Sequence, residues 1–177
     1  MIIIIMAFFW CCFALEDDIG IYENIMNSTT CESLVSDAKH FSLSRHPAWK
    51  DWDQYLYTLY GHYLHAYLSA FPVVPNITSD TGYILCNHNE SNAMNPSMSP
   101  DPQMVITGII LLNSNVGGGE IWFPRQKKKI EPQCGKMILF PNSFTHPIAM
   151  EPVRIGKLRF IITWFKTNTG IEPVATE

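Results

Sequence analysis

The chain has 177 residues, of which 47% are hydrophobic and 12% aromatic. It is therefore long and apolar enough to build one hydrophobic core. The net charge of -4 and the pI near 5.8 exclude a surface that binds polyanions along its length, so no nucleic acid partner is expected. The only basic run in the sequence, residues 125–129, is interpreted as a solvated hairpin loop.

The first fifteen residues are almost entirely apolar (MIIIIMAFFWCCFAL). They are too few for a comfortable membrane span, and they lack the Lys or Arg of a signal-peptide n-region. We expect no stable membrane span here. A signal or anchor, a buried amino-terminal strand and an upstream extension remain as alternatives.

Residues 19–25 are typical of a first strand, and two helices follow. The first is predicted over 31–41, with Thr29 or Thr30 as its N-cap. The second is predicted over 51–71, because apolar and aromatic residues recur at spacings of three and four. The apolar face of this second helix is expected to carry Tyr55, Leu59, His62, Tyr63, Ala66 and Ala70.

After a proline-rich corner at 72–75 the pattern changes to short strands. A loop rich in proline and serine is expected over 91–101 and is placed to close over a ligand. Helices first and short strands afterwards predict a mostly β protein with N-terminal helices, whose two sheets form a jelly roll (double-stranded β-helix). The strands are expected over 82–88, 104–112, 120–124, 136–140 and 158–165.

Five cysteines, an odd number without a CxxC pair, argue against a disulfide framework and favour a reducing, cytoplasmic compartment. Cys86 and Cys134 could instead form a zinc site with two histidines.

His88 and Glu90 occupy positions i and i+2 of a strand, so both side chains are expected on one face. With His146 from a later strand they make two histidines and one carboxylate. Such a facial triad is diagnostic of non-haem Fe(II) oxygenases.

The second half of the chain carries an ordered series of motifs. In order these are Gly118-Gly119-Glu120, Phe123-Pro124, Pro132 with Gly135, Phe140, His146, Pro152-Val153, Gly156 and Arg159. The series resembles the iron(II)- and 2-oxoglutarate-dependent dioxygenases, in their prolyl 4-hydroxylase-like branch. One departure is Glu90, where that branch normally has Asp.

The resemblance implies a metal site of His88, Glu90 and His146, with Fe(II) as cofactor, 2-oxoglutarate as co-substrate and ascorbate as an additional cofactor. It implies Arg159 as the partner of the 2-oxoglutarate carboxylate, because a guanidinium binds a carboxylate in bidentate fashion; Lys157 is the rival. Tyr83, Thr107 and Trp164 are expected to line the cavity.

The expected reaction is hydroxylation of an unactivated C–H bond, with release of succinate and CO2. A prolyl residue of a peptide or protein is the family's commonest substrate, although nothing in the sequence identifies a peptide or small-molecule substrate. The alternatives are a catalytically inactive jelly-roll binding module and a cupin-like metalloprotein. We divide the chain into an apolar segment (1–18), a strand with supporting helices (19–76), the oxygenase core (77–168) and a tail (169–177).

Overall fold

A computed structural model describes residues 13–40, 49–72, 76–89 and 94–168. The described part contains two helices, α1 (Ser28–His40) and α2 (Trp49–Leu68). Its strands are β1 (Phe13–Glu16), β2 (Ile19–Tyr22), β3 (Ile77–Asp80), β4 (Ile84–His88), β5 (Met94–Ser97), β6 (Met104–Leu111), β7 (Gly117–Gly118), β8 (Ile121–Phe123), β9 (Lys128–Ile130), β10 (Lys136–Pro141), β11 (Ile148–Met150), β12 (Val153–Ile155) and β13 (Leu158–Thr167).

The strands form two main antiparallel sheets. The large sheet has the order β1-β2-β10-β6-β13, with β3 and β4 both pairing to the outer side of β13. The small sheet has the order β5-β11-β8-β9, and β12 pairs separately with β7. The prediction of a jelly roll with N-terminal helices is confirmed.

The large sheet is covered on both faces, which explains why β6, β10 and β13 are so continuously apolar. One face packs against the helices and carries Ile110 and Ile161. The opposite face packs against the small sheet and carries Ile109 and Phe160. Because side chains alternate along a strand, neighbouring residues of β13 belong to different layers of the protein.

The face that α2 buries differs from the expected one. Leu56, Tyr60, Leu64 and Tyr67 are buried at helical spacing, whereas Tyr55 is 38% exposed. The helix is therefore rotated by about one residue, or roughly 100°, from the predicted orientation. Aromatic residues occur on both sides of this helix, so the pattern alone did not determine which stripe faces the sheet.

α1 begins earlier than predicted because Asn27, and not Thr29 or Thr30, is its N-cap. The Asn27 side-chain oxygen accepts a hydrogen bond from the Thr30 amide at 2.8 Å. The Asn27 carbonyl accepts from the Cys31 amide at 3.1 Å, which closes the first turn.

The segment expected to be one loop over 91–101 contains β5. This strand lies at the edge of the small sheet, where it pairs only with β11 among the described strands. Pro96 has no amide hydrogen to donate, and an edge strand tolerates this because one side makes no ladder. The prediction of a loop over the whole segment, which was based on its proline and serine content, is therefore wrong for β5.

The β1–β2 hairpin turns through Asp17 and Asp18, whose φ angles are 53° and 60°. Two consecutive left-handed residues match the twist of a two-residue hairpin, and Asp tolerates this conformation. The Asp18 carbonyl accepts a hydrogen bond of 2.7 Å from the Tyr67 hydroxyl, which ties the turn to α2.

The apolar segment is described only from residue 13 onward, where it forms β1. No helix within the described ranges is long and apolar enough to span a membrane.

Candidate functional site

A cavity of about 370 Å³ lies between the two sheets; we call it the inter-sheet cavity. Both sheets and the turns at one end contribute to its walls, which are mainly apolar. The lining residues are Cys86, Ser97, Met98, Ser99, Pro100, Thr107, Phe140, Asn142, His146, Ile148, Met150, Phe160, Ile162 and Trp164.

His146 is buried in this wall, in the turn between β10 and β11. Its Nε2 lies 2.9 Å from the Asp17 carbonyl oxygen, and its Nδ1 lies 2.8 Å from the Thr145 hydroxyl. A carbonyl can only accept, so Nε2 donates to Asp17, while Nδ1 faces the Thr145 hydroxyl. Both ring nitrogens therefore have hydrogen-bond partners within the protein.

His88 ends β4 and pairs with Leu158, on the sheet face that looks toward the small sheet. Its Nε2 is buried and has no hydrogen-bond partner among the described residues. His88 does not line the inter-sheet cavity. Cys86 is the residue of β4 that does.

His88 and His146 come from different elements, and both lie on the side of the large sheet that faces the small sheet. His146 is bonded to the turn that leads into β2, and β10, β6 and β13 separate β2 from β4. Two histidines that share one ion need nitrogens within about 4 Å of each other, because each metal–nitrogen bond is about 2 Å. A metal site shared by His88 and His146 stays a prediction.

The third predicted ligand, Glu90, lies outside the described residues. Within the described ranges, no three His, Cys, Asp or Glu side chains cluster closely enough to hold a metal ion. The cavity wall, as far as it is described, also contains no carboxylate. Because Glu90 lies outside the described residues, the Fe(II) site of His88, Glu90 and His146 stays a prediction.

Arg159 lies on the other face of the large sheet from the inter-sheet cavity. It sits between Leu158 and Phe160, which both point into the layer between the sheets, and it pairs with Asn87. Its side chain lines a separate cavity of about 540 Å³ beside α1, together with Lys157 and Glu32; we call this the helix-side cavity. Neither cation is placed to bind a ligand held by His146.

The two cysteines of the alternative zinc site lie in different layers. Cys86 packs in the layer between the sheets, whereas Cys134 packs in the layer under the helices. Burial raises the pKa of the Cys86 thiol, so it stays protonated and uncharged at neutral pH.

Of the other expected cavity residues, Thr107 and Trp164 do line the inter-sheet cavity. Tyr83 does not, because it packs against the Tyr60 ring on the helix side at a centroid distance of 5.4 Å.

Sequence reasoning missed Asn142. Its side chain donates to the Met104 carbonyl at 2.8 Å and accepts from the Ser99 amide at 3.1 Å. It therefore fixes the connection between β5 and β6 against β10. The Pro-Asn-Ser turn after β10 was the available signal, since such turns often place an amide that bonds to backbone.

Solved structures of prolyl 4-hydroxylases share this fold. A viral collagen prolyl hydroxylase from Paramecium bursaria Chlorella virus 1, solved as a 2-oxoglutarate complex, superposes with a TM-score of 0.68 at 16% identity. The alignment covers 84% of this chain and 95% of the viral one. The fold is that of the prolyl 4-hydroxylases.

Two further structures agree. The Pseudomonas putida prolyl 4-hydroxylase gives a TM-score of 0.64 at 10% identity, covering 85% of this chain and 88% of its own. The Trichoplax adhaerens prolyl hydroxylase, in complex with a peptide fragment of the hypoxia inducible factor oxygen degradation domain, gives 0.65 at 18% identity, covering 84% and 83%. No protein-family model matches the chain, and no curated protein matches it significantly. At these identities the likeness establishes the fold alone.

Proposed function

We propose that this chain is a non-catalytic binding module with the prolyl 4-hydroxylase fold, and that it binds a proline-containing peptide in the inter-sheet cavity. The observation that carries the proposal is the state of His146. The only imidazole in the described cavity wall has both ring nitrogens occupied by Asp17 and Thr145. A cavity whose wall supplies no set of metal ligands still offers a concave, apolar binding site.

The walls suit a rigid, apolar ligand. Trp164, Phe140 and Ile162 supply aromatic and aliphatic surface, and aromatic-lined grooves bind proline-rich segments because these are preformed as polyproline II helices. Met98 in the wall is 46% exposed, and Phe144, two residues before His146, is 73% exposed. Exposed apolar groups beside a cavity are typical of an interaction site.

A few polar groups are available to orient the ligand. Ser97 and Thr107 contribute hydroxyls from opposite sheets. β5, which ends at Ser97, is also an edge strand among the described elements, so its outer side can pair with an extended backbone. The peptide-bound Trichoplax neighbour supports a peptide as the class of ligand.

A second candidate is an Fe(II)- and 2-oxoglutarate-dependent dioxygenase that hydroxylates a C–H bond. One observation favours it: the buried His88 Nε2 has no partner in the described part of the chain, and Glu90 follows two residues later. A buried polar atom without a partner is unusual and can indicate a ligand. In this candidate His88 and Glu90 hold the metal, while His146 and Arg159 take no part.

Peptide binding is tested by calorimetry with an oligoproline peptide and an alanine-based peptide of equal length. We expect the oligoproline to bind more tightly, and Trp164→Ala to weaken it by about thirty-fold, the effect of losing about 2 kcal/mol at an aromatic anchor. Trp122→Ala is the matched control, because Trp122 alternates with the buried Ile121 and Phe123 and so points away from the cavity. Equal affinity for both peptides, or equal losses in both variants, would refute the proposal.

The two candidates are separated by anaerobic addition of Fe(II) and 2-oxoglutarate to the whole protein. The binding module should give no visible charge-transfer band. A band that appears in the wild type and is lost in both His88→Ala and Glu90→Ala would establish the dioxygenase instead.

A further inference from the structure

A row of three side chains crosses the large sheet in the wall of the inter-sheet cavity. Thr107 of β6 lies directly opposite Phe140 of β10 on one side and directly opposite Trp164 of β13 on the other. Directly opposite residues of antiparallel strands point to the same face, with Cβ atoms about 5 Å apart. All three residues line the cavity, so its wall presents one hydroxyl group between two aromatic side chains.

The hydroxyl of Thr107 is weakly paired for a buried group. Thr107 is only 2% exposed, and among the described residues its hydrogen-bond partner is the side-chain oxygen of Asn142, at 3.5 Å. Hydrogen bonds between two oxygens usually measure about 2.7–2.8 Å, so this one is long. A buried hydroxyl with one long bond gains from a second partner, because an unmet polar group away from water is unfavourable.

The orientation of Asn142 decides what that second partner must be. The Asn142 amide nitrogen donates to the Met104 carbonyl at 2.8 Å, and the Asn142 oxygen accepts from the Ser99 amide at 3.1 Å. Because the Asn142 oxygen can only accept, the Thr107 hydroxyl donates its hydrogen to Asn142. The lone pairs of Thr107 Oγ1 are then left to accept a hydrogen bond from a ligand that carries a donor.

We propose that the inter-sheet cavity prefers a prolyl residue with a hydroxylated ring to an unmodified one, and that Thr107 distinguishes the two. The inference rests on the proposed binding of prolyl peptides. Phe140 and Trp164 contact the ring, and the ring hydroxyl donates a hydrogen bond to Thr107 Oγ1. An unmodified ring leaves this buried oxygen without a donor, and a site built around a hydrogen bond disfavours a ligand that cannot make it.

The test is calorimetry on the full chain with three peptides of equal length: oligoproline, oligo(4-hydroxyproline) and oligo(4-fluoroproline). A chelator is present throughout, so that no metal-dependent reaction alters the peptides. Fluorine is small and electronegative like a hydroxyl but cannot donate a hydrogen bond, so the third peptide controls for other effects of a ring substituent. We expect the hydroxylated peptide to bind about fivefold more tightly than the other two, the effect of one neutral hydrogen bond.

Three variants assign the preference to one side chain. Thr107→Val keeps the shape of the side chain and removes its oxygen, so it should bind the three peptides with equal affinity. Thr107→Ser keeps the hydroxyl and should retain the preference. Thr163→Val is the matched control, because Thr163 is a fully buried threonine of β13 that alternates with Trp164 and shares the helix-side face with Ile161 and Phe165. It should leave all three affinities unchanged.

The outcomes separate this inference from the proposed function. Equal affinity of the wild type for oligoproline and the hydroxylated peptide would overturn the inference, while the binding of prolyl peptides would stand. A preference that survives in Thr107→Val, or that the fluorinated peptide shares, would also overturn it. If none of the three peptides binds, the proposed function itself is refuted, and this inference with it.

Discussion

His146→Ala tests whether this histidine is a structural tie or a metal ligand. The substitution removes the hydrogen bond to the Asp17 carbonyl (2.9 Å) and the one from Thr145 (2.8 Å). Each such bond contributes about 0.5–1.5 kcal/mol, so we expect a loss of about 1–3 kcal/mol in the free energy of unfolding. Asp17 is exposed and Thr145 is partly exposed, so water can reach both partners and the loss stays within this range.

For a chain of this size the loss corresponds to about 2–12 °C in melting temperature, measured by calorimetry in the presence of a chelator and again with Fe(II). His65→Ala is the control, because His65 is exposed on α2; it should change the melting temperature little. Iron should not alter the difference between wild type and His146→Ala. If that difference vanishes in chelator and appears only with Fe(II), His146 is a ligand and the structural interpretation is refuted.

Two further predictions concern the helix layer. Gly108→Ala should destabilise the protein by about 1–3 kcal/mol, because the new Cβ would lie 2.7 Å from Tyr60 Cε1. Gly61→Ala meets nothing within 4 Å and should stabilise α2 by about 0.5–1 kcal/mol. Equal free energies of unfolding for the two variants in urea would contradict the described packing. Burial raises the pKa of Tyr60 well above its ordinary value of 10.0, so the ionisation of this phenol leaves the free energy of unfolding unchanged below about pH 10 and lowers it as the pH rises beyond that. Tyr60→Phe should flatten that alkaline loss and, because the Tyr60 hydroxyl has no partner among the described residues, raise stability at pH 7 by about 1–3 kcal/mol; unfolding measured across alkaline pH checks both effects.

The sequence was a good guide to the strands of the large sheet, but it did not show which face of each strand packs against which layer. β6, β10 and β13 are covered on both faces, so their residues are apolar almost throughout and the runs stand out. Because both faces of these strands are apolar, the sequence does not show which face packs against the helices and which against the small sheet. Arg159 was correctly placed on one face with Ile161, yet alternation cannot say whether that face meets the helices or the small sheet.

The relative placement of the two predicted metal-binding histidines could not be predicted for a related reason. The sequence pattern shows that His88 ends a strand. Only the strand order shows that β4 pairs with the outer side of β13, whereas His146 is hydrogen-bonded to the turn before β2, which pairs with β10. Strand order depends on contacts between distant segments, which one sequence does not display. β5 was missed because edge position, and not composition, decides whether a proline such as Pro96 can lie in a strand.

The hairpin turn at Asp17 and Asp18 is held from two sides. His146 donates to the Asp17 carbonyl from the cavity side, and Tyr67 donates to the Asp18 carbonyl from α2. A transient opening that released β1 and β2 would have to break a bond in each hydrophobic layer at once. In native-state hydrogen exchange, the amides of β2 should therefore exchange together with those of the layers on both sides, as one cooperative unit, even though the hairpin lies at the edge of the sheet that the described strands form.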